Sequence, residues 1–427
     1  MRGKIIAIGV LVIALVLLLT PALACGKGGE ETEPGITPTP GITPAAQATP
    51  TATPKLKTLR MGVLMPLSGP AALWGTSVLD GAKWVAEVVN EQGGFKVGQD
   101  IYTIEVIPAD SQMMASVAIR ECERLILDKK VNVIHGPLGT PEVIATMPIC
   151  NQYKVWQYQD TIAVEPSPEY PYTIACSFSF AAWFDHWYDQ LVKFHPEIKT
   201  VAITNMNVED HPGGSGPMEQ ASAERHGLTV IANEYYDPAT IDFYPLLTKI
   251  VAKNPDFLSI GITAPGHTLM IMKTARELGY KGVIGGANNV DLKLAEGTLP
   301  LQYLEGAVSC DYNFDSPLIP ELARRNYEDF MRRVKTEMPF SNTHLYPWTD
   351  TLMFVAAAQR AGSLDPDAIL RVMDDPNFTF ETFWEENARL QGRETWGTPR
   401  LSPHWMAYTE IRGGKYEMKG LKPFLVP

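Results

Sequence analysis

LRMGVLMPLSGPAALWGTSVLDGAKWVAEVVNEQGGF, running from Leu59 to Phe95, decides the fold. Leu59, Met61, Val63, Leu64 and Met65 make a short apolar run, the signature of a buried strand. Pro66-Leu67-Ser68-Gly69-Pro70 then ends the ladder, because two prolines and a glycine cannot continue it. A helix is expected next. Leu79, Ala82, Ala86 and Val89 recur at three- and four-residue steps and form one apolar stripe. Thr76 or Ser77 is expected to cap its start, and Gly93-Gly94 to supply the left-handed stop. The unit is therefore strand, loop, helix, and the polar turn at the strand's carboxyl end is where open α/β sheets bind ligands.

The same grammar continues outward. Tyr102–Ile107 alternates like a strand and Pro108-Ala109-Asp110-Ser111 is expected to turn. Ala115, Ala118, Cys122, Leu125 and Ile126 stripe a second helix. Val131–His135 is a buried strand followed by Gly136-Pro137-Leu138-Gly139-Thr140-Pro141, where Thr140 is expected to cap a helix with Pro141 in its first turn. Val155–Ile162 is a further strand and loop, and Tyr172–Ser179 a strand leaving the first half. Thr200–Asn205, Leu258–Ile262, Gly282–Gly286 and Gly306–Tyr312 read as strands of a second half. Met218–Gly227, Leu269–Leu278, Glu321–Lys335 and Trp348–Ala361 read as helices. Trp405–Arg412 and Lys415–Met418 around Gly413-Gly414 predict a terminal hairpin. Repeated βα units with a change of domain midway predict two α/β lobes, each with a parallel sheet.

The chain has 427 residues, enough for two domains, and 45% are hydrophobic, as a globular core requires. Its formal charge of −12 argues against a nucleic-acid partner, which selects a basic face. Residues 1–25 have the form of a targeting leader. Arg2 and Lys4 are basic, Ile5–Leu19 is an apolar core too short to span a membrane comfortably, and Ala22 and Ala24 suit cleavage. Cys25 follows directly and suggests a lipidated lipoprotein terminus, although Ala22 and Leu23 depart from the usual order before such a cysteine. Residues 26–57 are rich in Pro, Thr and Ala, lack an apolar period, and are expected to form an extended tether.

No HExxH, CxxC or P-loop occurs. His211–Pro217 fails the G-x-S-x-G spacing because Pro217 stands where the second glycine belongs. The eight histidines show no metal-ligand spacing, so no metal, cofactor or catalytic residue is assigned. Outside Cys25 the cysteines are Cys122, Cys150, Cys176 and Cys310, an even number that permits disulfides in an exported chain with three possible connectivities.

Met65-Pro66-Leu67-Ser68-Gly69-Pro70, Trp74-Gly75, Gly81-Ala82 and Asn90-Glu91-Gln92-Gly93-Gly94 resemble the opening of extracytoplasmic solute-binding proteins of the branched-chain amino-acid-binding type. The resemblance extends over most of the chain after the tether. It implies the type I periplasmic-binding fold, two doubly wound parallel-sheet lobes joined by a multi-strand hinge. Residues 58–178 with 311–395 would form one lobe, and 179–310 with 396–427 the other. It implies a monomeric, lipid-anchored receptor on the outer face of a bacterial membrane, closing on a small solute and docking on an ABC permease. A sensor that reports to a signalling partner has the same sequence pattern. An exported α/β hydrolase needs an activated nucleophile that is not found.

The resemblance also places the ligand among Trp74, Leu138, Gly139, Thr140, Tyr158, Gln159, Asp160, Thr161, His211, Thr263, Ala264 and Asn288. Thr140 matches the family's carboxylate-binding hydroxyl. Ala163 replaces its second threonine, Gly213 and Ala264 replace two aromatics, and Gly286-Ala287-Asn288 lacks the acid that pairs with an ammonium. Trp74 and Tyr158 are candidates to stack on a flat ligand, with Gln157 and Gln159 fixing polar edges and Asp160 meeting an amine. In the family fold the strands bearing Cys176 and Cys310 both pass through the hinge, which implies a Cys176–Cys310 bridge.

Overall fold

The computed structural model describes residues 54–69, 71–161, 164–177, 180–207, 215–237, 239–261, 263–336 and 340–426. Leu56–Met65 (β1), Phe95–Val97 (β2), Asp100–Asp110 (β3), Val133–His135 (β4), Trp156–Gln159 (β5) and Thr173–Ala175 (β6) form a six-stranded sheet ordered β2-β3-β1-β4-β5-β6. Thr200–Met206 (β7), Thr229–Tyr236 (β8), Phe257–Ile260 (β9), Val283–Gly285 (β10), Val308–Ser309 (β11), His404–Arg412 (β12) and Lys415–Phe424 (β13) form a seven-stranded sheet ordered β13-β12-β11-β10-β9-β7-β8. The helices are Ala72–Glu91 (α1), Ala115–Glu123 (α2), Thr140–Tyr153 (α3), Phe180–Phe194 (α4), Ser215–Arg225 (α5), Tyr244–Val251 (α6), Pro265–Glu277 (α7), Leu292–Ala295 (α8), Glu321–Arg333 (α9), Asn342–Ala361 (α10), Pro366–Met373 (α11) and Arg393–Trp396 (α12).

Both sheets are covered on both faces, so their central strands are near-continuous apolar runs. On the first sheet, Met61, Val63 and Val133 meet Trp84 of α1 and Phe354 of α10. Leu64 and Ile134 meet Cys122 and Cys150 from α2 and α3 on the opposite face. The second sheet likewise has one core around Trp187 and Tyr408 and another around Leu258 and Met272. The chain passes between the sheets after β6, after β11 and before β12. This is the doubly wound two-sheet architecture expected from the sequence.

Some local expectations change. Helix α1 begins at Ala72, so Thr76 and Ser77 lie inside it. Their hydroxyls donate back to the carbonyls of Ala72 and Trp74, at 2.8 and 2.7 Å, instead of capping. The stop is as expected, with Gly93 and Gly94 at φ 91° and 81°. Strand β3 runs through Pro108 to Asp110 with no turn at Pro108. The β2 partner covers only Asp100–Tyr102, so beyond it β3 has an unpaired side that tolerates a residue without N–H. Gly413 and Gly414, at φ 55° and 71°, form the two-residue turn between β12 and β13. Strand β8 and helix α6 are additional elements that apolar periodicity did not single out.

Candidate functional site

In the first sheet β1, β4 and β5 are parallel neighbours, so the loops after them share one edge. Asp110 at the end of β3 ties that edge together. Its Oδ1 accepts from the N–H of Leu67 at 2.9 Å and of Gln112 at 3.0 Å, and its Oδ2 from Ser68 Oγ at 2.6 Å. Partial burial opposes its ionisation, but these donors outweigh it and hold the carboxyl below its ordinary range. Asp110 was missed in the sequence. An acid closing a strand before Ser111 is a weak signal until the loop it grips is known.

The loop after β4 leads into α3, with Gly139 rather than Thr140 at the helix cap. Glu142 reaches back to accept the Gly139 N–H at 2.8 Å. Burial raises the Glu142 pKa, although Ser111 and that N–H oppose the shift. Thr140 is thereby left to face the β5 loop, where its Oγ1 lies 2.9 Å from Thr161 Oγ1. These two expected site residues are thus brought into direct side-chain contact across two loops. Leu138 and Trp74 are half-buried, Trp74 on the first turn of α1.

Other expected contacts prove to be structural. Tyr158 is fully buried and stacks on His135, with centroids 5.1 Å apart, so it is a core residue and not a ligand platform. The cause is β5, whose four residues are all buried between two helical layers. Gln157 donates to Thr146 Oγ1 at 2.7 Å inside the core. The Gln159 amide is consumed by its own loop, accepting from Thr161 N–H at 2.8 Å and donating to Val164 O at 3.0 Å. On the second sheet, Asn288 Nδ2 donates to Thr263 O at 2.8 Å and its Oδ1 accepts from Asn289 N–H at 3.0 Å. Thr263 is buried and accepts from Tyr236 Oη at 2.9 Å. Asn288 is thus a staple between two loops. Ala264 is half-buried at the cap of α7. His211, Ala163, Gly213 and Cys25 lie outside the described residues.

Asp160 faces inward. Both carboxylate oxygens are buried without a hydrogen-bond partner. Burial, then the charge of Asp350, pushes its pKa well above the carboxylate range. Asp350 on α10 accepts from Ser402 Oγ at 3.0 Å, and burial raises it to about 7. His135 and His404 are both held down to about 3 by burial and remain neutral. In the second half Glu219 accepts from Tyr188 Oη at 3.0 Å and from Ser259 Oγ, and burial raises it to about 7. Asp350 and Glu219 were not foreseen, although Asp350 inside the apolar stretch LYPWTDTLMFV is a signal that a sequence can show.

The four cysteines outside residue 25 are free and buried, Cys176 and Cys310 included, so the expected Cys176–Cys310 bridge is absent. The Cys176 thiol instead points back to Ile174 O at 3.9 Å. The sulfurs in contact are those of Cys122 and Cys150, 3.6 Å apart. Among the described residues no group of three or more His, Cys, Asp or Glu side chains could hold a metal, and no helix is long and apolar enough to cross a membrane.

Comparison with known proteins agrees with this architecture. The sequence model of the periplasmic binding protein family matches residues 58–400. "Leu/Ile/Val-binding protein homolog 7" of Brucella abortus is 21% identical over 338 residues, covering 75% of this chain and 82% of its own. A leucine binding protein from Thermotoga maritima superposes with a TM-score of 0.68 at 17% identity, over 86% of this chain and 99% of its own. A solute binding protein from R. palustris in complex with benzoate gives 0.70 at 16%, over 87% and 98%. A branched-chain amino acid binding protein from Streptococcus pneumoniae in complex with isoleucine gives 0.70 at 15%, over 86% and 99%.

Proposed function

The chain belongs to the periplasmic binding protein family, and from that membership we propose that it captures a small organic carboxylate and delivers it to an ABC permease. The two sheets close about the three crossings between them, and the closed form docks on the membrane partner. No covalent step is involved. The observation that carries the ligand class is the Thr140–Thr161 hydroxyl pair, 2.9 Å apart on the sheet edge where such folds bind ligands. Two hydroxyls at that spacing suit a carboxylate or amide edge. Trp74 and Leu138 supply apolar surface on the same edge. Glu142, with its raised pKa, is eased toward the neutral form beside an anion.

An α-amino acid fits less well. A buried ammonium requires a carboxylate or several carbonyls. Gly286-Ala287-Asn288 offers no acid, the Asn288 amide is already engaged, and the Asp160 oxygens are sealed from solvent. A flat carboxylate without an ammonium escapes that cost. Relatives in complex with isoleucine and with benzoate show that the architecture admits both classes, so the choice rests on this chain's own residues.

Calorimetry decides. Leucine, isoleucine and valine should bind more weakly than about 8 kcal/mol, the micromolar level, and benzoate-like carboxylates more tightly. Thr140→Ala should weaken the preferred ligand by about 1–3 kcal/mol. Tight leucine binding that ignores Thr140→Ala sinks both the ligand class and the residue assignment. The lipid anchor is a separate part of the proposal. Cys25→Ser should move the protein from the membrane fraction to the soluble fraction. Unchanged processing and fractionation would refute lipidation at that residue.

A further inference from the structure

We propose that Cys122 and Cys150 are joined by a disulfide in the exported protein, stitching α2 to α3 beneath the first sheet. Their sulfurs are 3.6 Å apart, which is van der Waals contact, and both residues are fully buried. A disulfide requires about 2.05 Å between sulfurs, so the two sulfurs must approach by about 1.5 Å more to bond. The two helices already pack against each other, and their shared core of Leu64, Ala118, Leu125 and Ile134 holds the two cysteines in register. Cys176 and Cys310 show no such approach to each other or to this pair. The structure therefore points to a single bridge, Cys122–Cys150, with Cys176 and Cys310 left as thiols.

The chemistry balances with one co-reactant. Each cysteine gives up its thiol hydrogen, and one S–S bond forms between them. A low-molecular-weight or protein disulfide accepts the two electrons and two protons and leaves as two thiols. Disulfides persist in extracytoplasmic compartments, where this family works. Timing follows from burial. Contact with Cys122 and burial push the Cys150 thiol up, so in the folded protein it is a poor nucleophile. Exchange must then precede the sealing of this core, while the 115–153 segment is still folding. Helix α2 loosens into a wider turn at Arg124–Asp128 directly after Cys122, the kind of irregularity that lets a helix end adjust.

The test uses the full chain, recovered without reductant from an oxidising compartment and denatured in the presence of an alkylating agent. Peptide mass spectrometry should find the Cys122 and Cys150 peptides linked, two hydrogens lighter than their sum, with Cys176 and Cys310 alkylated. Four alkylated thiols, or a bridge that uses Cys176 or Cys310, overturns the proposal. A second readout needs no variant. Protein unfolded, reduced and refolded under reductant should melt about 5–10 °C below the oxidised form, because the bridge closes a loop of 28 residues' separation. Identical melting of the two forms overturns it as well.

Discussion

Asp350→Asn should leave stability nearly unchanged at pH 4 and raise it by about 4 kcal/mol above pH 7. The carboxyl is fully buried, and burial lifts its pKa from 3.8 to about 7, partly offset by the Cys176 thiol and the Ser402 hydroxyl. His135 Nδ1 stands 4.0 Å away, yet burial keeps that ring neutral and it offers no positive charge. The folded protein therefore holds a proton on Asp350 over a range where the unfolded chain has released it. The contribution of the protonated acid is fully present below the unfolded pKa near 4, and it is lost as pH rises through the folded pKa near 7. Asparagine is nearly the shape of the protonated acid and cannot ionise, so it removes this slope. His135 and His404 titrate in the opposite sense, with stability lost as pH falls from the imidazole range toward about 3. Both proteins carry them, so they largely cancel in the difference. Denaturant midpoints from pH 4 to 8.5 measure the gap, and parallel curves for the two proteins would end the argument. The same experiment reports on the crossings between the sheets, because Ser402 leads into β12 while Asp350 sits on α10.

What the sequence disclosed follows from local physics. The β1–loop–α1 unit was legible because its strand is a short apolar run, its helix has a single stripe, and Gly93-Gly94 punctuates it. The hairpin of β12 and β13 was legible because Gly413-Gly414 sits between two strand-like runs. The helix starts were not. Thr76 and Ser77 are good cap residues by type, but Ala72 and Leu73 extend α1 by a turn, and a hydroxyl inside a helix finds a carbonyl one turn back. Strand β8 was hidden because TVIANEYY mixes polar and apolar residues on a strand near the sheet's edge.

Which side chains the fold brings together at the proposed sheet edge was only partly legible. The sheet edge, Thr140 and Thr161 follow from strand and loop spacing together with the resemblance. Whether a polar side chain is free to meet a ligand depends on neighbours far away in sequence. Asn288 is spent on the loop around Thr263, Gln159 on Val164, and Tyr158 on His135. The cysteine pairing has the same origin. The Cys122–Cys150 contact depends on two helices lying side by side, which no count of cysteines reveals.

Trp84→Ala should cost about 3–5 kcal/mol of stability, the range for truncating a buried aromatic. Trp84 is fully buried on α1 and stacks on Trp348 of α10, with centroids 3.9 Å apart and planes 23° apart. It also meets Phe330 of α9 edge-on at 5.2 Å and Phe383 at 6.3 Å. One side chain thus joins three helices and a loop, and its removal opens a cavity that rigid aromatic neighbours cannot fill. Its indole N–H donates to Asp329 Oδ2 at 2.8 Å. That acid keeps Arg333, so losing the indole does not strand a bare carboxylate. Trp84→Phe retains a ring and should cost about half as much. Trp74→Ala, ten residues earlier on the same helix and only half-buried, should cost less than either and act mainly on ligand affinity. Urea unfolding of the three variants gives the ranking. A Trp84→Ala protein within 1 kcal/mol of the parent, or a Trp74→Ala protein as unstable as Trp84→Ala, contradicts this division of α1 into a core-facing body and a site-facing first turn.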